Sequence, residues 1–513
     1  MKEIVLNKDR VKNYVSIWII GFLTHLYIFT NKFYNEDDIN NLTTKAEQAS
    51  LGRWLDDMLN WVLPTYSIPM INGPLAVAIL VLTAIIVCKI FKIQKVRLEF
   101  LVGCIFVTFP VFASNFTWMI AAYRYALAIL LAVLFDYFLL CKNFRGHTAV
   151  AIGCLVASLG IYQIYLCLAM GILWLWIIKY TFEMYLKDGI TLSNVLKKII
   201  GLFLCAVIAA AIYGVITKIM LSVWQTSLAS YQNINKVFNI NILDYLVGML
   251  KAYYRAIMFQ IGGMYGKISI YLVVVHVLIL ILSGYVIWKN WRIKVKKGNG
   301  AWKIILLCEV ALLPAFIESI EIMAATAQSR HMIMRFGSIL WYVIPVVVLD
   351  RIWDEEHFSF PKIKTYLSTL MLIVICINVY TCNLAYFKCS LTTKNLEALL
   401  NRVAYAVEQT DGYVPNETKV WIDSSSGLPL YTSNQDEFEA VSNMIGISDQ
   451  YRFFELKRMK SIMENFLYFQ SEDPTEQEIE EIKKTGQYAE MNAYPLENSI
   501  EWINGVLVVK LSQ

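Results

Sequence analysis

Charge is scarce in this sequence: Asp, Glu, Lys and Arg together make up 17% of its 513 residues, against roughly a quarter in an average soluble domain. With a strongly positive mean hydropathy, that scarcity excludes a chain of soluble domains, each of which would need its own polar surface. Histidine is rarer still, at five residues, and no Cys/His spacing of a metal site appears. The C-terminal tail shows no Gly-rich phosphate loop, and nothing suggests nucleic acid as a partner. Ten cysteines occur, but Cys88, Cys104, Cys141, Cys154, Cys167, Cys205, Cys308 and Cys376 lie inside apolar blocks, where they act as small hydrophobes. Cys382 and Cys389 stand near a membrane exit, the one place where a bridge could form. No small-residue cleavage site follows the first apolar block, which therefore reads as an anchor.

What the sequence does have is apolar blocks of about 20 residues, the length that crosses a hydrocarbon core of about 30 Å. They fall near 14–31, 70–88, 98–114, 119–141, 148–162, 164–179, 199–220, 268–288, 303–318, 336–350 and 365–386. The expected fold is an α-helical polytopic membrane protein of about eleven spans. The pairs 98–141 and 148–179 turn through tight loops, so either could hold a re-entrant segment. Basic residues gather in alternate loops: Lys2 to Lys12, Lys89 to Arg97, Lys142 and Arg145, Lys187 to Lys198, Lys289 to Lys297, and Arg351 to Lys364. By the positive-inside rule the N-terminus is cytoplasmic, and an odd number of spans leaves the tail outside. From Lys388 onward the net charge is about −9, which leaves the membrane part near +14.

Two outer loops, 31–69 and 221–267, are long. The first carries Trp54, Leu55, Met58, Leu59 and Val62 at helical spacing, the pattern of a helix lying in the interface. The second repeats that pattern from Ile242 to Tyr254, and Gly262-Gly263 then breaks it. Elaboration on one face places the chemistry there. In the tail, Leu396 to Val407 predicts a helix, and 419–422 and 506–509 predict strands. Helices are expected around 454–466 and 476–484. The division is a transmembrane domain over 1–387 and a small extracytoplasmic α/β domain over 388–513.

Three acids in succession, Glu36-Asp37-Asp38, follow the first span. Like charges repel, so such a run needs a reason. One carboxylate could act as general base on a sugar hydroxyl while another orients the acceptor. A solvated acidic loop, or Asp38 capping a helix, is the plainer alternative. No cofactor is required by the sequence; if a divalent cation such as Mg or Mn takes part, Asp37 and Asp38 are the residues to hold it. Cations cluster at the same level: Arg124, Arg255, Arg330, His331 and Arg335. They suit a lipid phosphate, or else snorkel or pair with Glu318, Glu321 and the loop acids. Asp136 and Glu309 lie within spans and read as interhelix contacts, and His276 as a packing residue.

The order of motifs resembles a known group. Asp37-Asp38 follows the first span, then come Gly52-Arg53, Gly160-Ile161-Tyr162-Gln163 and Arg330-His331-Met332-Ile333-Met334. Met491-Asn492-Ala493-Tyr494-Pro495 runs into Ile503 to Leu511. This is similar to the bacterial type II O-antigen (serotype-converting) glucosyltransferases, polytopic enzymes of the GT-C type. The resemblance implies transfer of a sugar, glucose by analogy, from a polyprenyl-phosphate carrier to an envelope glycan at the outer face of the bacterial cytoplasmic membrane. A donor synthase and a flippase would then serve the same route. It also implies that Asp37 and Asp38 are the essential acids, with Arg53, Tyr162 and Gln163 positioning the loop or acceptor. The rival class is a transporter or flippase of lipid-linked sugars. That class predicts inverted repeats and broken helices at the midplane, and no internal symmetry is visible.

Overall fold

The computed structural model describes residues 8–33, 48–62, 66–186, 191–229, 242–263, 267–294, 300–324, 332–352, 361–423, 441, 444 and 456–511. The membrane part comprises α1 (Lys8–Thr30), α2 (Trp54–Val62), α3 (Pro69–Phe91), α4 (Val96–Thr108), α5 (Pro110–Thr117), α6 (Ala122–Cys141), α7 (His147–Ile161) and α8 (Leu166–Tyr185). It continues with α9 (Leu192–Val223), α10 (Ile242–Gly263), α11 (Lys267–Lys294), α12 (Gly300–Ile317), α13 (Ile320–Met323), α14 (Leu340–Ile352) and α15 (Pro361–Glu408). The tail adds β1 (Val420–Asp423), α16 (Leu456–Leu467), α17 (Glu476–Lys483), α18 (Gly486–Glu490), β2 (Ile500–Ile503) and β3 (Val506–Lys510). Among the described residues ten helices are long and apolar enough to cross a bilayer, and α7 is a shorter apolar helix beside them. Each of the eleven expected spans thus has a helix. The protein is a polytopic helical membrane protein with a small C-terminal sheet region.

Between membrane helices the hydrophobic effect supplies no drive, so close packing through small residues must hold them. Gly21 of α1 lies so near Val107 that a Cβ would sit 2.7 Å from the valine Cβ, and one on Gly103 would stand 2.4 Å from Ile17 Cδ1. The third span is broken. Phe109 is extended and Pro110 starts α5, so the last carbonyls of α4 have no continuing helix to bond. His25 Nε2 donates to Val107 O at 2.8 Å, and Cys382 Sγ reaches Thr108 O at 3.6 Å. The His25 ring is fixed from its other side by Tyr386, whose hydroxyl is 2.6 Å from Nδ1. The break is therefore joined to α1 and α15 by polar bonds.

Cys382 and Cys389 are buried on α15 and are not bridged to each other. Glu309 accepts from Thr181 Oγ1 at 2.8 Å, linking α12 to α8, and His276 donates to Ala256 O at 2.9 Å, tying α11 to α10. Asp136 is buried with neither carboxylate oxygen hydrogen-bonded among the described residues.

The expected helix over 396–407 is not separate from the last span: α15 runs unbroken for 48 residues, about 72 Å at 1.5 Å per residue. Its first part packs among the membrane helices through Leu367, Met371 and Val374. Its last part puts Leu396, Leu400, Val403 and Val407 into the tail's core with Met459, Ile462 and Met463. The tail sheet has the order β1-β3-β2, with β3 parallel to β1 and antiparallel to β2. Val420, Ile422, Leu507 and Val509 face α15 and α16, while Trp421, Val506 and Val508 face Ile482 of α17. Alternation along each strand thus builds two apolar layers on the two sides of one small sheet.

Candidate active site

At the end of the molecule where the first long loop leaves the membrane, α2 is amphipathic, but the face it buries in the protein includes its polar one. Asp56, Asp57 and Asn60 are buried while Met58 is exposed. The cause is Arg124 at the start of α6, itself 1% exposed. Its Nε stands 3.3 Å from Asp56 Oδ1, its Nη1 contacts Asn60 Oδ1, and its Nη2 donates to Ile120 O at 3.3 Å. A buried guanidinium needs such partners, because an unpaired one costs several kcal/mol. Burial pushes the Asp56 carboxyl above the usual carboxylate range, and the positive charges of Arg124 and Arg53 oppose that shift. Asp57 Oδ1 accepts from the Gln48 backbone N–H at 2.7 Å, fixing the chain that enters the helix.

Arg53, Tyr162 and Gln163 come together here. The Arg53 guanidinium lies over the Tyr162 ring at 4.4 Å and donates to Gln48 Oε1 at 2.9 Å. Tyr162 stacks on Tyr125 at 5.1 Å. Gln163 Nε2 donates to Leu51 O at 2.7 Å and to the Tyr213 hydroxyl at 2.8 Å. Tyr213 in turn donates to Gly52 O at 3.1 Å. Gly52 has φ +74, and a Cβ there would meet Tyr213 Oη at 2.7 Å. The Gly-Arg pair is thus a tight left-handed turn that aims Arg53 across the tyrosines.

A second charged group stands beyond an aromatic wall. Tyr162 meets Tyr165 edge-on at 5.5 Å, and Tyr165 meets Phe336 at 6.4 Å. Next to Phe336, Arg335 pairs through Nη2 with Glu321 Oε1 at 2.8 Å. Arg255, from α10, approaches the same oxygen at 3.5 Å. Gly248, about two helical turns earlier, lets α10 close on the Glu321 backbone, where a Cβ would be 2.6 Å from the carbonyl oxygen. Glu318 accepts from Ser338 and from Trp341 Nε1, both at 3.0 Å. Burial beside Arg335 lowers the Arg255 guanidinium. The Nη1 atoms of Arg335 and Arg255 are buried without a hydrogen-bond partner among the described residues.

Two of the four expected phosphate-binding arginines, Arg255 and Arg335, therefore share one carboxylate. Arg124 is held in the separate cluster under α2. Glu36, Asp37, Asp38, Arg330 and His331 lie outside the described residues. Among the described residues no group of three or more His, Cys, Asp or Glu stands close enough to hold a metal ion. Sequence reasoning missed Asp56, Asp57 and Asn60. Their spacing on the polar half of a helix already read as amphipathic was the available signal.

The family model of the glucosyl transferase GtrII matches residues 26–349. The chain belongs to the GtrII glucosyl transferase family. The match takes in the first long loop, both charged clusters and the aromatic wall between them, and it ends before α15 and the tail. No curated protein and no solved structure matches the chain. Membership makes this protein a membrane glucosyltransferase, which requires a sugar donor and a glycan acceptor.

Proposed function

We propose that this GtrII-family protein moves a glucosyl residue from a polyprenyl-phosphate carrier to an envelope glycan at the outer face of the bacterial cytoplasmic membrane. The observation that carries the donor assignment is the pair of guanidiniums at Glu321, Arg335 buried and Arg255 partly buried. Each keeps a buried Nη1 without a hydrogen-bond partner among the described residues, and such forks match phosphate oxygens. Arg330 and His331 stand close to Arg335 in sequence and would add to the same anion site. Positive-inside counting and the tail's acidity support an outward orientation.

In this reading the acceptor hydroxyl attacks C1 of the sugar. The C1–O bond to the phosphate breaks, its electron pair leaves with the polyprenyl phosphate, and the hydroxyl proton passes to a carboxylate of Asp37 or Asp38, with Glu36 supporting. The arginines stabilise the charge growing on the leaving phosphate. A single displacement inverts the anomeric centre. Arg124 acts as a positioning residue that anchors α2 through Asp56. Arg53, Tyr162 and Gln163 shape the turn over which the acceptor passes. Any Mg or Mn ion would be held by Asp37 and Asp38.

The test is transfer by purified protein in nanodiscs. Asp37→Asn or Asp38→Asn should abolish transfer without loss of folded protein; full activity in both variants would remove the proposed base. Arg335→Lys should raise the donor KM by about tenfold, the loss of one good charge-assisted hydrogen bond.

A further inference from the structure

The helix α10 carries a cation that the cluster at Glu321 does not use. It is not among the helices long and apolar enough to cross a bilayer. Of its described side chains only Gly248, Ala252 and Ala256, spaced by four, are buried. Counting round the helix at about 100° per residue, the positions beside that stripe are Arg255 and Lys251, then Val247 and Tyr254, then Leu243 and Leu250. All of these but Arg255 are exposed. Asp244 shares the cationic edge, about two turns before Lys251. The edge thus lies between a surface packed on protein and an outward apolar arc, the layering that an interfacial helix presents to lipid.

The same edge is the open side of the charged cluster. Glu318, Glu321 and Arg335 are buried, but the Arg255 side chain is 22% exposed. Lys251 stands one turn before it, about 6 Å along the axis, and pairs with no acid among the described residues. Like charges at that spacing repel, and a lysine on the outer face runs against the positive-inside bias. A bridging anion relieves the repulsion, and a phosphate has oxygens enough to accept from an ammonium and a guanidinium together.

We infer that the lipid-linked donor docks along α10, with its phosphate between Lys251 and Arg255 and its polyprenyl chain on the arc of Val247, Tyr254, Leu243 and Leu250. This inference rests on the donor reading above and adds to it a further cation and a side of entry. The occupant is the donor and not a bulk phospholipid because Arg255 belongs to both places. A head held at Lys251 is already at the margin of the cluster where Arg255 and Arg335 share Glu321. The chain stays in the bilayer while the head leaves it, so no apolar surface of the donor has to enter water.

The test uses the full chain in nanodiscs of zwitterionic lipid, with polyprenyl phosphate that carries a photoreactive group in its first isoprene units. Mass spectrometry locates the cross-links, and their dose dependence gives the apparent affinity. In the wild type the label should fall on residues 243–254. Lys251→Met should weaken polyprenyl phosphate by about tenfold, and Lys251→Arg should keep most of the affinity. The uncharged polyprenol should label both proteins alike. In transfer assays Lys251→Met should raise the donor KM with the acceptor KM unmoved. Equal affinity in wild type and Lys251→Met would overturn the inference, as would label confined to other helices. Displacement of the probe by phosphatidylglycerol at equal concentration would also overturn it, since the edge would then take any anionic headgroup. Weakened binding in Arg335→Lys with none in Lys251→Met would leave the donor reading standing without this docking edge. A wild type that binds no polyprenyl phosphate would remove both.

Discussion

Asp56 and Arg124 form a buried ion pair, Nε to Oδ1 at 3.3 Å, that fastens a nine-residue helix of the first long loop onto the start of α6. Removing one partner of such a pair strands the other, at a cost of about 3–5 kcal/mol. Asp56→Ala and Arg124→Met should each lower stability by about that amount, whereas the double variant should lose less than the sum. Thermal unfolding of the four proteins in one detergent measures the coupling. Additive losses would show that the pair does not hold α2.

Gly52→Ala should be costlier than its size suggests. The new Cβ is strained at φ +74 and presses on the Tyr213 hydroxyl, which also bonds the Gly52 carbonyl. A loss of about 1–3 kcal/mol is expected, with a fall in turnover as Arg53 moves off Tyr162. Tyr213→Phe, which keeps the ring but removes the bond donated to Gly52 O and the one accepted from Gln163 Nε2, should cost about 1–3 kcal/mol.

The expected helical register of 54–62 was legible because Trp54, Leu55, Met58 and Leu59 repeat at helical spacing. Which way the helix faces was not. Its apolar stripe suggested a partner in lipid, but nothing in local sequence says that Arg124, some 70 residues on, will claim Asp56 and Asn60. The spans were legible for a simpler reason, since a bilayer imposes length and hydropathy. The continuity of α15 was present as an absence: no glycine or proline interrupts 362–408, yet the polar run Lys388 to Asn395 resembles the end of a span. β2 was also passed over, although Asn504-Gly505 between two apolar runs is a hairpin signal. The acids at 36–38, the centre of the sequence argument, fall outside the described residues.

His25 gives a further test of how the broken span is held. Replacing it by Leu removes the donor to Val107 O and the acceptor for Tyr386, leaving two buried polar groups unsatisfied at about 1–3 kcal/mol each. A large drop in thermal stability should follow, and Tyr386→Phe in the same background should restore part of it. No change on His25→Leu would contradict the role given to this joint.

In the tail, Lys419 donates to Glu478 at 2.7 Å. That bond, with those from the Thr475 backbone and side chain, pulls the Glu478 carboxyl down to about 2 and raises Lys419. A carboxyl depressed on folding stabilises the fold above its unfolded value of about 4.3. The contribution therefore disappears as pH falls from there through about 2. NMR titration of Glu478 should give a midpoint near the lower figure, moved upward by Lys419→Met. An ordinary midpoint in the wild type would refute the pairing.

The most direct measurement is a transfer balance with purified protein in nanodiscs, a polyprenyl-phosphate glucose labelled in the sugar, and the acceptor glycan. The account predicts one polyprenyl phosphate released for each labelled hexose joined to the glycan, with the anomeric configuration inverted. Donor that crosses or binds without cleavage, or label joined with retention of configuration, would contradict it.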